Sequence, residues 1–333
     1  MGIKAAICGN EAWQIDRVFG QGRRERLASL TDLVPGTVTS ANLASRFAEL
    51  QDVEVLFATW GMDESLALSV RDLPRLKAFF YAAGSVRHFA RPLLDRGMVV
   101  VSAWAANAIP VSQFTLSQIL LSLKGYFRNV RQTRMPGNRG QAVDPEAVGI
   151  FENTVALLGC GMVGRRVADL LRPFGLEVLA YDPFLSDGDA QALGVRKATL
   201  EDAFSSARVV SNHLADLPAT RGLLRRAHFA SMPPGATFIN TGRGATVIEP
   251  EMTEILRLRS DLTALLDVTF PEPPAVDSLL YALENVHLTS HIAGSQGKEV
   301  VRMADYCLEE FQAWSQGRPL RYQVTPELLE KMA

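Results

Sequence analysis

Cysteine is scarce: Cys8, Cys160 and Cys307 are the only three in 333 residues, widely spaced and with no C-x-x-C pair. They supply neither a zinc pattern nor a disulfide framework, which points to a reducing compartment. An excess of charge of one sign is also lacking, since 34 Lys and Arg against 36 Asp and Glu leave a net charge of −2. With no basic excess and no Lys/Arg run, nucleic acid and anionic membrane surfaces are excluded as general partners. No apolar run approaches the ~20 residues that a membrane helix needs. The opening Met-Gly-Ile-Lys-Ala-Ala has no signal-peptide core, and Ala6 breaks the myristoylation pattern, so a cytoplasmic protein is expected. No fixed-period repeat, low-complexity tract or metal-ligand cluster stands out. What is there in quantity is apolar: 47% hydrophobic and 21% charged residues, the profile of a soluble globular chain long enough for two domains.

Short apolar runs alternate with helix-like stretches. In the first third the expected strands are Ala5–Cys8, Val55–Thr59, Ala78–Ala82 and Met98–Ser102, with helices over Asp63–Val70 and Ala90–Arg96. Such alternation indicates a parallel α/β unit. A single long helix is expected over Val111–Thr133, followed by an aperiodic Gly/Pro-bearing segment, Met135–Glu146, of the kind that joins domains or reaches a partner subunit. A second α/β series follows. Its expected strands are Thr154–Leu158, Glu177–Tyr181, Ala207–Ser211, Thr237–Asn240, Ala264–Asp267 and Val286–Ser290. An amphipathic helix is expected over Glu299–Trp314, and the tail beyond it has no readable pattern.

The strongest local signal is Gly159-Cys-Gly161-Met-Val-Gly164, set between an apolar strand and a helix with Val163, Val167, Leu170, Leu171 and Phe174 on one face. Gly159 permits the tight turn, Gly161 lets the backbone approach a pyrophosphate, and Gly164 lets helix and strand pack closely. The helix start, with Met162 and Val163, offers free N–H groups and partial positive charge to phosphates. The next strand ends in Asp182, 18 residues beyond Gly164. Its carboxylate suits the ribose hydroxyls of NAD(H) and would repel the 2′-phosphate of NADP(H), with no Arg or Lys expected nearby to offset it.

Three later strand ends carry polar residues that packing does not require. Asn240 runs into Thr241-Gly242-Arg243-Gly244, Leu266 into Asp267 with Glu272 five residues on, and Ser290 into His291-Ile-Ala-Gly294. In an open parallel sheet these ends share the carboxyl edge, where ligands bind. In this order the motifs resemble those of the D-isomer-specific 2-hydroxyacid dehydrogenase family: its arginine motif at 240–244, its D-V-x-x-x-E-P motif from Asp267, and its histidine motif at 291–294. Thr220-Arg221-Gly222 is similar to another family element near the cofactor. The resemblance covers nearly the whole chain and is densest over about 107–295.

That resemblance implies an α/β fold of two domains, a Rossmann NAD-binding domain (107–295) inserted in a flavodoxin-like substrate domain (1–106 plus 296–333). It also implies hydride transfer between NAD(H) and a small anionic 2-oxo or 2-hydroxy acid with D-stereospecificity. Arg243 would hold the substrate carboxylate or carbonyl. His291 would be the acid and base at the carbonyl oxygen, oriented through its other ring nitrogen by Glu272. Asp267 would bind the nicotinamide carboxamide, with Thr241 and Gly242 along the cofactor, and the loop at Gly84 and Ser85 would offer N–H groups to the substrate carboxylate. A homodimer built through residues 111–146 is implied as well. His213 reads as a structural or cofactor-wall residue, whereas His88, His228 and His287 show no convergent partners. Trp60, Trp104 and Phe89 are candidate pocket walls.

The chain departs from the family pattern in several places. It has Val111-Ser112-Gln113 at the start of the long helix, Ser290 before His291, Leu214-Ala-Asp-Leu-Pro218 beside the cofactor, and Arg87-His88 in the substrate loop. Arg87 is a candidate for a second anionic group on the substrate or a plain surface residue. A different class of function, an NADH-responsive binding protein resembling the family's corepressor branch, would bind NADH tightly without turning over 2-oxoacids.

Overall fold

The computed structural model describes residues 2–62, 64–134, 137 and 149–332. Five strands precede residue 108: β1 (Lys4–Cys8), β2 (Asp32–Val38), β3 (Val55–Ala58), β4 (Ala78–Tyr81) and β5 (Val99–Ser102). Seven more lie between 108 and 294. These are β6 (Thr154–Leu158), β7 (Glu177–Tyr181), β8 (Arg196–Lys197), β9 (Val209–Asn212), β10 (Thr237–Asn240), β11 (Thr263–Leu266) and β12 (Val286–Leu288). A last short strand, β13 (Gln323–Val324), comes near the end of the chain. The chain divides into two compact units, Met1–Asn107 with Ser295–Ala333, and Ala108–Gly294.

In the first unit the sheet order is β13-β5-β4-β3-β1-β2, parallel except where β13 runs antiparallel to β5. The parallel part has the flavodoxin-like order. Strands β3 and β4 are buried along their whole length, as expected when both faces of a parallel sheet are covered. Phe57 and Phe80 stack at 5.2 Å, and Phe311 of the helix Val301–Ser315 meets Phe57 edge-on at 5.5 Å. The C-terminal helix is thereby fixed into this core. Phe89, expected as a pocket wall, is fully buried against Phe79 and Tyr81 and belongs to the core instead.

The second unit carries a seven-stranded sheet of order β12-β11-β10-β9-β6-β7-β8, parallel throughout. This is the doubly wound Rossmann order with one strand added, and its strand order reverses between β6 and β9. One face is covered by a cluster containing Phe204, Phe229 and Phe238, the other by one containing Ile119, Val167 and Leu171. The expectation of one helix over Val111–Thr133 is corrected. A helix Trp104–Leu123 ends before Gly125, which takes φ +65°, and a second helix runs over Tyr126–Thr133. Glycine adopts that left-handed turn without a Cβ clash, so it stops the first helix where apolar periodicity alone would continue it. Apart from Gly137, the segment Met135–Glu146 lies outside the described residues.

Candidate active site

The three fingerprint glycines meet different demands. Gly159, at the end of β6, takes φ +91°, and a Cβ there would lie 3.0 Å from the backbone of His213. A Cβ on Gly164 would stand 2.0 Å from the carbonyl oxygen of Gly159, so only glycine lets the helix Met162–Leu171 approach β6 this closely. Gly161 has nothing within 4 Å of where a Cβ would sit and forms the N-cap of that helix. Two crowded glycines therefore hold an open one at the start of a helix, at the point where strand order reverses. This cradle fits a dinucleotide pyrophosphate, with the N–H groups around Met162 and Val163 as its donors.

Asp182 follows β7. Its Oδ2 accepts the N–H of Cys160 at 2.6 Å and its Oδ1 that of Phe184 at 2.8 Å, which fixes the carboxylate beside the glycine turn. The expectation that no cation stands near it is corrected. Lys197 and Arg225 line one cavity of about 580 Å³ together with Asp182. Arg165 also donates to the carbonyl of Cys160 at 3.0 Å. These cations come from β8, from the segment after β9 and from the fingerprint helix, so distance along the chain hid them. His228 lines the same cavity, contrary to its expected isolation.

At the end of β10 a buried amide network shapes the arginine motif. Asn212 donates to Asn240 Oδ1 at 3.0 Å and to Thr246 Oγ1 at 2.9 Å, and Asn240 Oδ1 also accepts the N–H of Gly242 at 3.1 Å. Thr246 in turn donates to the carbonyl of Arg243 at 2.7 Å. Gly244 is forced to be glycine, because a Cβ would fall 2.0 Å from the Thr269 backbone. Arg243 is half-buried and donates to its neighbour's carbonyl, that of Gly242, at 2.7 Å. Burial pulls its pKa down from the ordinary guanidinium value, while Asp216 and Glu272 act in the opposite direction. Arginine stays protonated under either influence, so a cation stands beside Glu272.

Asp267 is 2% exposed and organises the histidine turn. Its Oδ1 accepts from Thr289 Oγ1 at 2.6 Å and from the N–H of Ile292 at 2.8 Å, and its Oδ2 accepts the N–H of Ala293 at 2.9 Å. The N–H of His291 donates to the Asp267 carbonyl at 3.1 Å. These bonds hold His291 at φ +56°, a costly conformation for a residue with a Cβ. With its backbone so held, the ring places Nδ1 2.7 Å from Glu272 Oε1. A carboxylate can only accept, so Nδ1 carries a proton and Nε2 is left as the nitrogen that gains or loses one.

His213 lies where β9 ends. Its Nε2 is 3.0 Å from Ser211 Oγ and its Nδ1 3.2 Å from Thr241 Oγ1, which meets Thr115 Oγ1 at 3.1 Å. Burial pushes its pKa down to about 4, so it is a neutral hydrogen-bonding hub and no partner in proton transfer near neutrality.

The structure thus gathers Arg243, Glu272 and His291, and packs the Asp267 carboxylate beneath the His291 turn. Gly84 and Ser85 belong to the first unit, past the end of β4. There the carbonyl of Gly84 accepts from Ser102 Oγ, and Ser85 Oγ accepts the N–H of Arg87 at 3.4 Å. Arg87 turns to the carbonyl of Met332 at 3.4 Å. Sequence reasoning passed over Asn212, Thr246 and Asn107. Asn107 accepts the N–H of Ser295 at 2.9 Å, and its amide nitrogen is the nearest atom to a Cβ placed on Gly84. The readable signal for Asn212 and Thr246 was an amide or hydroxyl next to a strand end or a glycine turn, whereas Asn107 lies inside the helix Trp104–Leu123 and carried no such signal. Among the described residues no His, Cys, Asp and Glu cluster is placed to hold a metal, and no helix is long and apolar enough to cross a membrane.

Residues 116–293, more than half of the chain, match the NAD-binding domain of the D-isomer specific 2-hydroxyacid dehydrogenases, and the chain belongs to this family. It is 30% identical over 238 residues to a D-3-phosphoglycerate dehydrogenase of Archaeoglobus fulgidus, a match covering 71% of this chain and 44% of that protein. The chain therefore spans under half the length of that relative. The apo D-mandelate dehydrogenase of Rhodotorula graminis superposes with a TM-score of 0.80 at 21% identity, covering 97% of this chain and 98% of that one. A probable 2-hydroxyacid dehydrogenase from Rhizobium etli, solved with NADP, HEPES and L(+)-tartaric acid, gives 0.75 at 22% identity over 98% and 99% of the two chains. At these identities the two superpositions establish a shared fold.

Proposed function

We propose that the chain is an NAD-dependent 2-hydroxyacid dehydrogenase that reduces small anionic 2-oxoacids to D-2-hydroxy acids. The observation that carries this reading is the 2.7 Å bond between Glu272 and His291 Nδ1, on a turn that the buried Asp267 holds. When bound, NAD(H) supplies the hydride donor and acceptor. His291 Nε2 gives a proton to the carbonyl oxygen during reduction and takes it back during oxidation. Glu272 keeps the ring oriented and balances the imidazolium charge. Arg243 meets the substrate carboxylate or carbonyl with its planar fork of donors, and Gly84 and Ser85 are assigned to the carboxylate. Asp182 is assigned to the ribose hydroxyls of NAD(H), and Thr241, Gly242 and Asp267 to the nicotinamide end of the cofactor. A cytoplasmic homodimer formed through residues 111–146 completes the reading.

The test is NADH oxidation across glyoxylate, hydroxypyruvate, phenylpyruvate and phosphohydroxypyruvate. The expected result is turnover of at least one, at a rate of about 1 per second or faster, with a D-hydroxy acid as product. Tight NADH binding without oxidation on any of them would support the corepressor-like reading instead.

A further inference from the structure

The cavity at the carboxyl ends of β7 and β8 holds more charge than a ribose needs. It measures about 580 Å³, and its lining includes Tyr181, Asp182, Lys197, Glu201, Arg225 and His228. That volume falls within the range of small-molecule sites. Each Asp182 oxygen already accepts a backbone N–H, which compensates part of its charge. Lys197 donates to Asp187 at 2.8 Å, but Asp187 is 93% exposed, and an ion pair so open to water is readily exchanged for a better one. Arg225 donates through Nε to the carbonyl of Gly222 at 3.1 Å and forms no ion pair among the described residues. Its backbone is fixed where the helix Arg226–Ser231 begins, because its N–H donates to His228 Nδ1 at 3.0 Å. That bond leaves the proton of the neutral His228 ring on Nε2, a further donor at the cavity wall.

We propose that this cavity takes the adenosine half of the dinucleotide and that Arg225, assisted by Lys197, accepts a 2′-phosphate there, so that the chain binds NADP(H) as well as NAD(H). The proposal rests on the dinucleotide reading above and narrows the preference that Asp182 alone would set. The chemistry is that of a guanidinium fork whose terminal amino groups form no ion pair among the described residues, in a cavity also lined by an ammonium paired with the exposed Asp187 and by the carboxylate of Glu201. A phosphate dianion can engage both cations.

Calorimetric titration of the full chain with 5′-AMP and with 2′,5′-ADP tests it without any turnover. Both nucleotides are expected to bind, with 2′,5′-ADP no more than about tenfold weaker. Arg225→Ala is expected to weaken 2′,5′-ADP by about tenfold or more while moving 5′-AMP by less than about twofold. Wild-type chain that binds 5′-AMP but takes 2′,5′-ADP more than about tenfold more weakly overturns the proposal and leaves the dinucleotide reading intact. So does an Arg225→Ala variant that weakens both nucleotides alike. Binding of neither nucleotide overturns the dinucleotide reading itself.

Discussion

His213 shows how one buried side chain links the site to solution conditions. Its imidazole stays neutral among Ser211, Thr241 and Thr115, and burial pushes its pKa to about 4, below the ordinary value of 6.5. The unfolded chain therefore binds a proton here between those two values and the folded chain does not. This contribution to stability is complete above pH 6.5 and is lost as the pH falls toward 4. The gap between the two values bounds this loss at about 3 kcal/mol. Denaturant melts of wild type and His213→Gln between pH 4 and 7 check this: the wild-type slope should be the steeper over that interval. Parallel slopes would show that His213 does not titrate with unfolding. Asp267 makes a comparable point about reading residues. In the sequence it stands for a cofactor contact, but in the fold its carboxylate also secures the turn that holds His291 at positive φ.

The elements differ in how they declare themselves. Strands β3 to β7 and β9 to β12 are apolar runs bounded by turn residues, and a sheet covered on both faces makes such runs legible. Strand β2 was not legible, because its sequence Asp32-Leu-Val-Pro-Gly-Thr-Val38 carries Pro35 and Gly36, which punctuate a pattern. It survives at the sheet edge, where a proline removes no central ladder bond. Strands β8 and β13 are two residues long and have no periodicity to detect. What docks β13 is a buried acid. Glu310 is 1% exposed, and its Oε2 accepts the N–H groups of Arg321 at 2.9 Å and Tyr322 at 3.1 Å, while its Oε1 accepts Arg321 Nε at 3.2 Å. Glu310→Ala leaves both N–H groups and the guanidinium without that acceptor, so a loss of about 3 kcal/mol is expected, with partial rescue by Glu310→Gln. A guanidinium melt reads it, and an unchanged midpoint would show that the tail contributes nothing. The site followed the same rule as the fold: the motif residues were legible because they lie on the segments that leave strand ends, Glu272 six residues past the end of β11. The cations around Asp182 were not, because they converge from three separate elements.

For the whole molecule, the discontinuous arrangement has a consequence for function. The glycine cradle, Asp182, Arg243, Glu272 and His291 all lie in the unit Ala108–Gly294. Cradle and acid–base pair nevertheless stand on different strand ends of its sheet: β6 and β7 for the one, β10 to β12 for the other. Dinucleotide binding and proton transfer should therefore be separable by a single substitution. The most direct measurement compares wild type and His291→Ala for NADH affinity and for kcat on the best 2-oxoacid. The account predicts a fall in kcat of about a thousandfold with NADH affinity changed by less than about threefold. A variant that retains full turnover would contradict the account.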